Sequence, residues 1–227
     1  MDTVNFGPEY CKINTIWKRD ENGKVIIGDW SRPESQFLAD LPWLWTEKID
    51  GTNIRLHQES AGVEVTVGGR TDNAQLPPKL VENMDNAGYL DISKWTKLSD
   101  KAGGAPITVY GEGYGAGIQK GGQYREDKDF IVFDVRVGKW WLQHENVCEV
   151  ADTLGLSVVP YIGMFSPKVA WHRISTGDYS SAWPGAKLEG FVGKPLVDLM
   201  DRKGDRVIMK VKVKDWEDRK KVGFPDE

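Results

Sequence analysis

The sequence predicts an α+β fold in which largely antiparallel sheets are flanked by helices. Many short segments show the apolar alternation that is typical of strands, and several of them are joined by hairpin turns. A few helical segments are interspersed among these strands, and no repeat or low-complexity linker interrupts them. We therefore expect one domain that spans residues 1–227.

Hairpins dominate the first half of the chain. Residues 12–30 predict a hairpin whose turn is Asp20-Glu21-Asn22-Gly23. A second hairpin is expected around the small residues 60–62, and a proline pair at 77–78 marks a helix start. The predicted strands here are 43–48, 54–58 and 63–67, and the predicted helices are 77–87 and 93–102.

The second half mixes strands and helices. An apolar strand runs into the glycine-rich stretch 111–117, Gly155 ends one helix, and Ser166 is the N-cap of another. The glycine stretch resembles a dinucleotide-binding loop, but no strand–helix–strand unit surrounds it, so we discount a Rossmann interpretation. The predicted strands are 107–110, 130–137, 188–192 and 206–213, and a helix is predicted over 145–154.

Composition excludes several classes of protein. The chain has 227 residues, 40% of them hydrophobic, and no apolar run long enough to span a membrane or to act as a secretory signal. Two distant cysteines favour a reducing compartment, and three scattered histidines argue against a zinc site. A net charge of −4 weakens the case for nucleic acid only modestly, because a local patch binds phosphates.

Lys48 is the first candidate for chemistry. It ends a predicted strand beside a glycine-containing loop, where the backbone can approach a phosphate closely. A lysine amine is nucleophilic only when it is neutral, and desolvation or nearby cations favour that form. Asp50, Asn53 and Arg55 place an anion, an amide and a cation around it. Taken alone, this stretch is equally well explained as a polar hairpin loop.

Four later stretches strengthen the functional interpretation. Glu112 and Glu189 are carboxylates at or within apolar strands, and Phe133 ends another apolar strand. Lys210 and Lys212 lie two residues apart, so they share one face of a strand. Two lysines facing two carboxylates would suit a triphosphate and a divalent metal. Each stretch alone has a plain explanation as core, strand edge or solvated face, whereas the ordered set is harder to dismiss.

Taken in order, these stretches resemble the motifs of the covalent nucleotidyltransferase superfamily, which comprises DNA ligases, RNA ligases and mRNA capping enzymes. Within it, the chain looks most like the RNA ligase 2 family and related small phage ligases, over residues 13–216. This resemblance implies an ATP-grasp-like nucleotidyltransferase fold. The matching motifs are Glu47-Lys48-Ile49-Asp50-Gly51-Thr52-Asn53, Gly69-Arg70-Thr71, Gly111-Glu112, Gly117-Ile118-Gln119, Phe133-Asp134, Glu189-Gly190 and Lys210-Val211-Lys212.

The resemblance also implies the catalytic roles. Lys48 would attack the α-phosphorus of ATP, and Lys210 and Lys212 would bind the α-phosphate. Glu189, together with Asp50, would bind the catalytic metal. A lysine at 214 continues the alternation, so the lysine pair is open to a shift of two residues. We prefer the earlier pair, since the aromatic residue at 216 then falls where the family tends to have one.

Other positions would bind the nucleotide. By resemblance, Arg70 would contact the ribose or a phosphate, Glu112 would hold the ribose, and Phe133 would stack on adenine. The full set of implied nucleotide contacts is Glu47, Ile49, Asn53, Arg55, Arg70, Glu112 and Phe133.

The implied activity is that of an ATP-dependent RNA ligase with Mg²⁺ or Mn²⁺ as cofactor. The lysine is adenylylated, AMP passes to a 5′-phosphate end, and a 3′-hydroxyl then displaces AMP. The expected partner is RNA or a nicked duplex with such ends, and the expected protein is a cytoplasmic monomer, in a bacterial or phage-infected cell, that binds no membrane. Only a short tail, residues 213–227, follows Lys212, which leaves no place for an OB-fold domain.

Three alternatives compete with this hypothesis. The first is a minimal DNA ligase that seals nicks, and the second is a non-catalytic module, derived from a ligase, that binds nucleotides or RNA ends. The third is an unrelated domain with chance motifs. A degenerate module would be expected to lose at least one key residue, and Lys48, Glu112, Glu189 and both later lysines are all present.

Overall fold

The computed structural model describes residues 4–220, which form two compact units. Within the described range, the six-stranded unit comprises residues 4–10 and 50–159, and the five-stranded unit comprises residues 11–49 and 160–220. That both units act as a single adenylyltransferase domain stays a prediction. The last part of the expected tail, 221–227, lies outside the described residues.

The elements confirm an α+β fold. The strands are β1 (Asn14–Thr15), β2 (Trp17–Arg19), β3 (Val25–Trp30), β4 (Trp43–Glu47), β5 (Thr52–Gln58), β6 (Thr66–Gly69), β7 (Ile107–Tyr114), β8 (Asp129–Val137), β9 (Trp140–Trp141), β10 (Ser157–Val158), β11 (Tyr161–Phe165), β12 (Gly190–Pro195) and β13 (Met209–Lys212). The helices are α1 (Pro33–Phe37), α2 (Pro78–Asn86), α3 (Ile92–Lys101), α4 (His144–Leu154), α5 (Pro167–Thr176) and α6 (Val213–Lys220).

The five-stranded unit is built on a sheet of order β1-β13-β12-β4-β11, and β2 pairs with β3 as a separate hairpin. All neighbours in the sheet are antiparallel except β1 and β13. Its core is unusually aromatic, because Trp43 and Trp45 alternate along β4 and are fully buried. Phe191, Met209 and Val211 pack in the same cluster. This alternation fixes which face of each strand turns away from the core.

The six-stranded unit has the order β10-β8-β7-β5-β6, with β9 added to β8. Three helices, α2, α3 and α4, bury their apolar residues in the same cluster as the strands. Ile54 and Leu56 of β5 and Val109 of β7 are fully buried in that cluster. Strand β7 is antiparallel to both of its neighbours, which confirms that the glycine stretch is not a Rossmann loop.

Local sequence patterns predicted several elements correctly. The predicted first hairpin is confirmed, and its turn is closed by the N–H of Asp20, which donates to the carbonyl of Lys24 at 2.8 Å. Helix α4 ends at Gly155 in the left-handed conformation, with φ of 77°. The Ser166 hydroxyl accepts the N–H of Val169 at 3.4 Å and caps α5.

Other boundaries were wrong. Strand β7 continues through the glycines to Tyr114, because its neighbours leave no room there: a Cβ at Gly111 would lie 2.3 Å from the carbonyl oxygen of Ile131. Strand β6 begins at Thr66, three residues later than predicted, and β13 begins at Met209. The short elements β1, α1, β9, β10 and β11 were missed, as was α6.

None of the helices in residues 4–220 has the length and apolar character that crossing a bilayer requires.

Candidate active site

Lys48 lies where the ends of three neighbouring strands of the five-stranded sheet meet. We call this row of strand ends the edge of the sheet; it is not an edge strand. Strand β4 ends one residue before Lys48, β13 ends at Lys212, and β12 begins one residue after Glu189. Because β12 is antiparallel to both β4 and β13, its start is at the same edge as their ends. The topology therefore brings Lys48, Glu189 and Lys212 together. Lys48 and Lys212 are 164 positions apart in the sequence.

The Glu189 carboxylate joins the two lysines. The Lys48 ammonium donates to Oε2 of Glu189 at 2.7 Å, and the Lys212 ammonium lies 2.9 Å from Oε1. The three side chains are between 18% and 29% exposed, so solvent only partly screens these charges. The result is a half-buried cluster in which a single carboxylate holds two cations on separate oxygens.

Lys210 adds a third lysine to this edge. Met209 and Val211 are fully buried, so Lys210 and Lys212 project from the opposite face of β13, as the sequence predicts. Burial, followed by the charges of Lys212 and Lys48, lowers the pKa of Lys210 from 10.5 to about 8. Lys210 therefore loses its proton more easily than an ordinary lysine, and a bound anion would stabilise its protonated form.

The alternative pair of the lysine motif, Lys212 and Lys214, does not lie on one strand. Lys214 lies in helix α6 and is exposed, whereas Lys212 is the last residue of β13 and pairs with Glu189. Trp216, also in α6, lies edge-on to Trp171 with ring centroids 5.9 Å apart. These positions favour the pair at 210 and 212.

Gly190 makes the geometry at the start of β12 possible. A Cβ at this position would lie 2.0 Å from the carbonyl oxygen of Val211 on β13, so no side chain fits. The carbonyl of Gly190 accepts the N–H of Lys48 at 2.9 Å, and the carbonyl of Glu189 accepts the N–H of Val213 at 3.0 Å. The backbone thus fixes the positions of Lys48 and of its carboxylate partner, Glu189.

Glu47 is turned inward. It is 1% exposed, and its carboxylate accepts the Ser181 hydroxyl at 2.7 Å and the N–H of Ala182 at 2.8 Å. Ile49 is buried as well. Glu47 thereby ties the segment before β12 to the end of β4, a role that sequence reasoning missed. The nucleotide contacts of Glu47 and Ile49 stay predictions.

In the six-stranded unit, Asn53 and Glu112 lie opposite each other on β5 and β7. The side-chain oxygen of Asn53 is buried and has no hydrogen-bond partner among the described residues, which leaves one acceptor available to a ligand. Phe133 is the extra residue of a bulge, because Tyr110 pairs with Asp134 and the next residue, Gly111, pairs with Val132. Bulges redirect side chains and are common beside active sites.

The two predicted arginines differ in their surroundings. Arg55 is fully buried; it donates to the carbonyl of Gly7 at 2.7 Å and forms an ion pair with Asp72. Its observed contacts therefore stabilise the unit from within. Arg70 follows β6, is exposed, and makes no ion pair with any residue in the range 4–220. Nucleotide binding by either arginine stays a prediction.

The described residues contain no group of three or more histidine, cysteine or acidic side chains that could hold a metal alone. Magnesium, however, is commonly held by one or two carboxylates together with substrate phosphates and water. Glu189 satisfies that requirement, because its carboxylate is half-buried at an edge that also carries three lysines. The N–H of Asp50, the other predicted ligand, donates to the Tyr124 hydroxyl at 3.3 Å.

Comparison with protein families identifies the family of this chain. The family model for RNA ligase matches residues 41–212, which is most of the chain and contains every motif described above. The chain belongs to the RNA ligase family. No curated protein matches it significantly.

Solved structures of an RNA ligase share this fold. A variant of the Naegleria gruberi RNA ligase with AMP and manganese is 14% identical, with a TM-score of 0.65, over 96% of this chain and 59% of that one. A variant with ATP and manganese is 13% identical, with the same TM-score and coverage. The same ligase with pyrophosphate is 16% identical, with a TM-score of 0.61, over 94% and 64%. This RNA ligase family member therefore spans less than two thirds of those chains.

Proposed function

We propose that this RNA ligase family member is an ATP-dependent RNA ligase that joins 3′-hydroxyl and 5′-phosphate ends through a covalent lysyl-AMP intermediate on Lys48. The observation that carries the proposal is the cluster of Lys48, Glu189 and Lys212, with Lys210 beside it, at one edge of the sheet. A nucleophilic amine, a carboxylate able to bind metal, and two phosphate-binding cations are the groups that adenylyl transfer needs.

The first step forms a bond between the Lys48 nitrogen and the α-phosphorus of ATP. The bond from that phosphorus to the bridging oxygen breaks, and pyrophosphate leaves with the electron pair. Lys48 must release a proton to solvent before attack, and its ion pair with Glu189 holds the side chain in place at 2.7 Å until then. Lys210 and Lys212 would neutralise the charge that develops on the α-phosphate.

ATP and magnesium, or manganese, are the proposed substrate and cofactor. The similar Naegleria gruberi ligase structures are with AMP or ATP together with manganese, which supports this choice. Glu189 would hold the metal, with Asp50 as the second proposed ligand. When bound, the metal neutralises phosphate charge and favours departure of pyrophosphate. Engagement of Glu189 by the metal would also free Lys48 from its ion pair.

Nucleoside recognition is assigned to the six-stranded unit. Glu112 would bind the ribose hydroxyls, and the unpaired acceptor of Asn53 on the neighbouring strand would bind a donor of the nucleotide. Phe133, at its bulge, would stack on adenine. Arg70 would contact a phosphate or the ribose, and Arg55 would support β5 from within. AMP would then pass to a 5′-phosphate end of RNA, and a 3′-hydroxyl would complete the joining.

Label transfer from α-phosphate-labelled ATP tests the proposal. Wild-type protein, freed of bound AMP and incubated with magnesium, should become labelled, and Lys48→Ala should not. Lys48→Arg should also stay unlabelled, because it keeps a positive charge beside Glu189 without a nucleophilic amine. Lys168→Ala, at an exposed lysine paired with Asp40, serves as the control that keeps the label. Absence of label from folded wild-type protein would overturn the proposal.

A further inference from the structure

A pocket of about 650 Å³ lies in the five-stranded unit beside the lysine cluster. Its walls come from the turn of the β2–β3 hairpin, from the end of β13 and from the start of α6. The charged residues that line it are Arg19, Lys24, Lys212, Lys214, Asp215 and Asp218. Four cations and two anions give the lining a positive balance, in a chain whose net charge is −4.

The hairpin turn that forms one wall is rigidly held. One Asp20 carboxylate oxygen accepts the N–H groups of Asn22 and Lys24 at 2.9 Å and 2.8 Å. The Arg19 guanidinium donates to the carbonyl of Gly23 at 2.6 Å and to both oxygens of Asp215 at 2.8 Å and 2.9 Å. These bonds fix the turn against α6, so the pocket is formed before any ligand arrives.

Two cations of the pocket form no ion pair with a described carboxylate. Arg19 is balanced by Asp215, and Lys212 by Glu189. Lys24 and Lys214, in contrast, form no ion pair within residues 4–220 although they line the same pocket. Lysine ammonium groups in a preformed polar pocket are typical ligands of phosphate oxygens.

Lys212 connects this pocket to the candidate active site. It lines the pocket and also lies 2.9 Å from the carboxylate that holds Lys48. Burial and the charges of Lys212 and Lys48 are the main causes of the lowered pKa of Lys210, and the charge of Arg19 adds to them. The cations of the β2–β3 hairpin thus extend the positive potential of the lysine cluster into the pocket.

We propose that this pocket is the subsite for the β- and γ-phosphates of ATP, which Lys24 and Lys214 bind before adenylyl transfer and as pyrophosphate afterwards. The inference rests on the proposed function for the direction of the reaction. An α-phosphate held at Lys48 and Lys212 would place the next two phosphates beside Lys212, where the pocket opens. When the nitrogen–phosphorus bond forms, the electron pair of the broken bond leaves on pyrophosphate, whose charge the two lysines would balance.

Binding of inorganic pyrophosphate tests the pocket directly, without any catalytic step. Isothermal titration calorimetry should show that Lys24→Gln and Lys214→Gln each weaken pyrophosphate binding about tenfold, the typical effect of losing one charge-assisted hydrogen bond. Lys18→Gln is the matched control, because Lys18 lies on the same hairpin but pairs with Asp29 and does not line the pocket. AMP binding should change in none of the three variants. Unchanged pyrophosphate binding in both pocket variants, or no binding by wild type, would overturn the proposal.

The remaining experiments separate this inference from its alternatives. In label transfer, Lys24→Gln and Lys214→Gln should raise the KM for ATP, whereas sealing of a pre-adenylylated RNA end, which requires no ATP, should be unchanged. If the variants weaken binding of a 5′-phosphorylated RNA and spare pyrophosphate, the pocket serves the RNA backbone and the proposal is wrong. Failure of wild type to form lysyl-AMP would overturn the proposed function. Pyrophosphate binding would still test whether the pocket is a phosphate subsite.

Discussion

The most informative residue is Glu189, because both of its oxygens are engaged by lysines. In this arrangement Lys48 is held as an ion-paired group. Under the proposed function, a metal that competes for the carboxylate would release Lys48, which gives a coupling between the two that can be tested. The backbone at both positions is fixed, because the carbonyls of Gly190 and Glu189 accept the N–H groups of Lys48 and Val213.

Removing the charge of Glu189 tests this coupling. Glu189→Gln should lower the rate of label transfer about a hundredfold, because the amide neither holds a divalent metal well nor neutralises the lysines. Single-turnover labelling across a magnesium titration provides the measurement. Glu217→Gln, at an exposed acid on α6, is the control. A rate within twofold of wild type at all magnesium concentrations would contradict the assigned role.

Lys210 predicts a pH dependence of nucleotide binding. Its pKa of about 8 lies below the ordinary 10.5, so about half of the molecules lack this proton at pH 8. A bound phosphate favours the charged form, and binding should therefore take up about half a proton at pH 8 and weaken as the pH rises further. Calorimetry with a non-reactive ATP analogue, in buffers of different ionisation enthalpy, measures this uptake.

The matched variant is Lys210→Arg, which keeps a positive charge that does not titrate in this range. Proton uptake at pH 8 should disappear in this variant while binding persists. Equal uptake by wild type and Lys210→Arg would show that another group takes up the proton.

At the scale of elements, the start of β12 determines the site. Three antiparallel strand ends meet at one edge only if β12 and β13 approach closely, and Gly190 permits that approach. The same strand carries Phe191 into the aromatic core, so its position is fixed from both sides. The active-site edge is thus a consequence of how this strand packs rather than of a flexible loop.

Gly190→Ala should lower the free energy of unfolding by about 3 kcal/mol, from backbone overlap together with an unfavourable conformation. The overlap is with the carbonyl of Val211, which cannot rotate away. Urea denaturation measures the change. Gly185→Ala is the control: its φ is also positive, at 82°, but nothing lies within 4 Å of the added Cβ, so it should cost only about 1 kcal/mol. Equal losses would contradict the packing argument.

At the scale of the whole molecule, the chain matches the RNA ligase family over residues 41–212 and spans 59% of the first similar structures. Its strand preference for RNA or DNA is consequently a property to be measured on this chain. Its location in the cytoplasm and its monomeric state likewise stay predictions.

Nicked duplexes that differ only in the 3′-hydroxyl strand decide between an RNA ligase and a DNA nick ligase. We expect sealing to be at least tenfold faster when RNA supplies the 3′-hydroxyl, as the proposed function requires. The measurement is sealing of a labelled 5′-phosphate strand, with Lys48→Ala as the blank. Faster sealing with DNA would favour the nick-ligase alternative, and self-labelling without any sealing would limit the chain to adenylyl transfer.

The sequence predicted the site better than the boundaries of the fold. Motif order predicted that Lys48, Glu189 and Lys212 share one site, and the structure brings these three side chains into contact. Their catalytic roles stay predictions. The extension of β7 through Gly111 and Gly113 was missed, since glycine signals a turn unless neighbouring strands forbid a side chain there. The short strand β11 and helix α6 were missed because their pairing and packing partners are distant in sequence.

The α+β class, the hairpins and the helix caps could be predicted without a structure, since they follow from local periodicity and turn chemistry. Three contacts could not be predicted in this way: the two oxygens of Glu189 hold two different lysines, Glu47 faces inward to Ser181, and the β2–β3 hairpin forms a wall of the cationic pocket that Lys212 lines. Strand order and the packing of distant segments decide these contacts, and no local pattern in the chain specifies them.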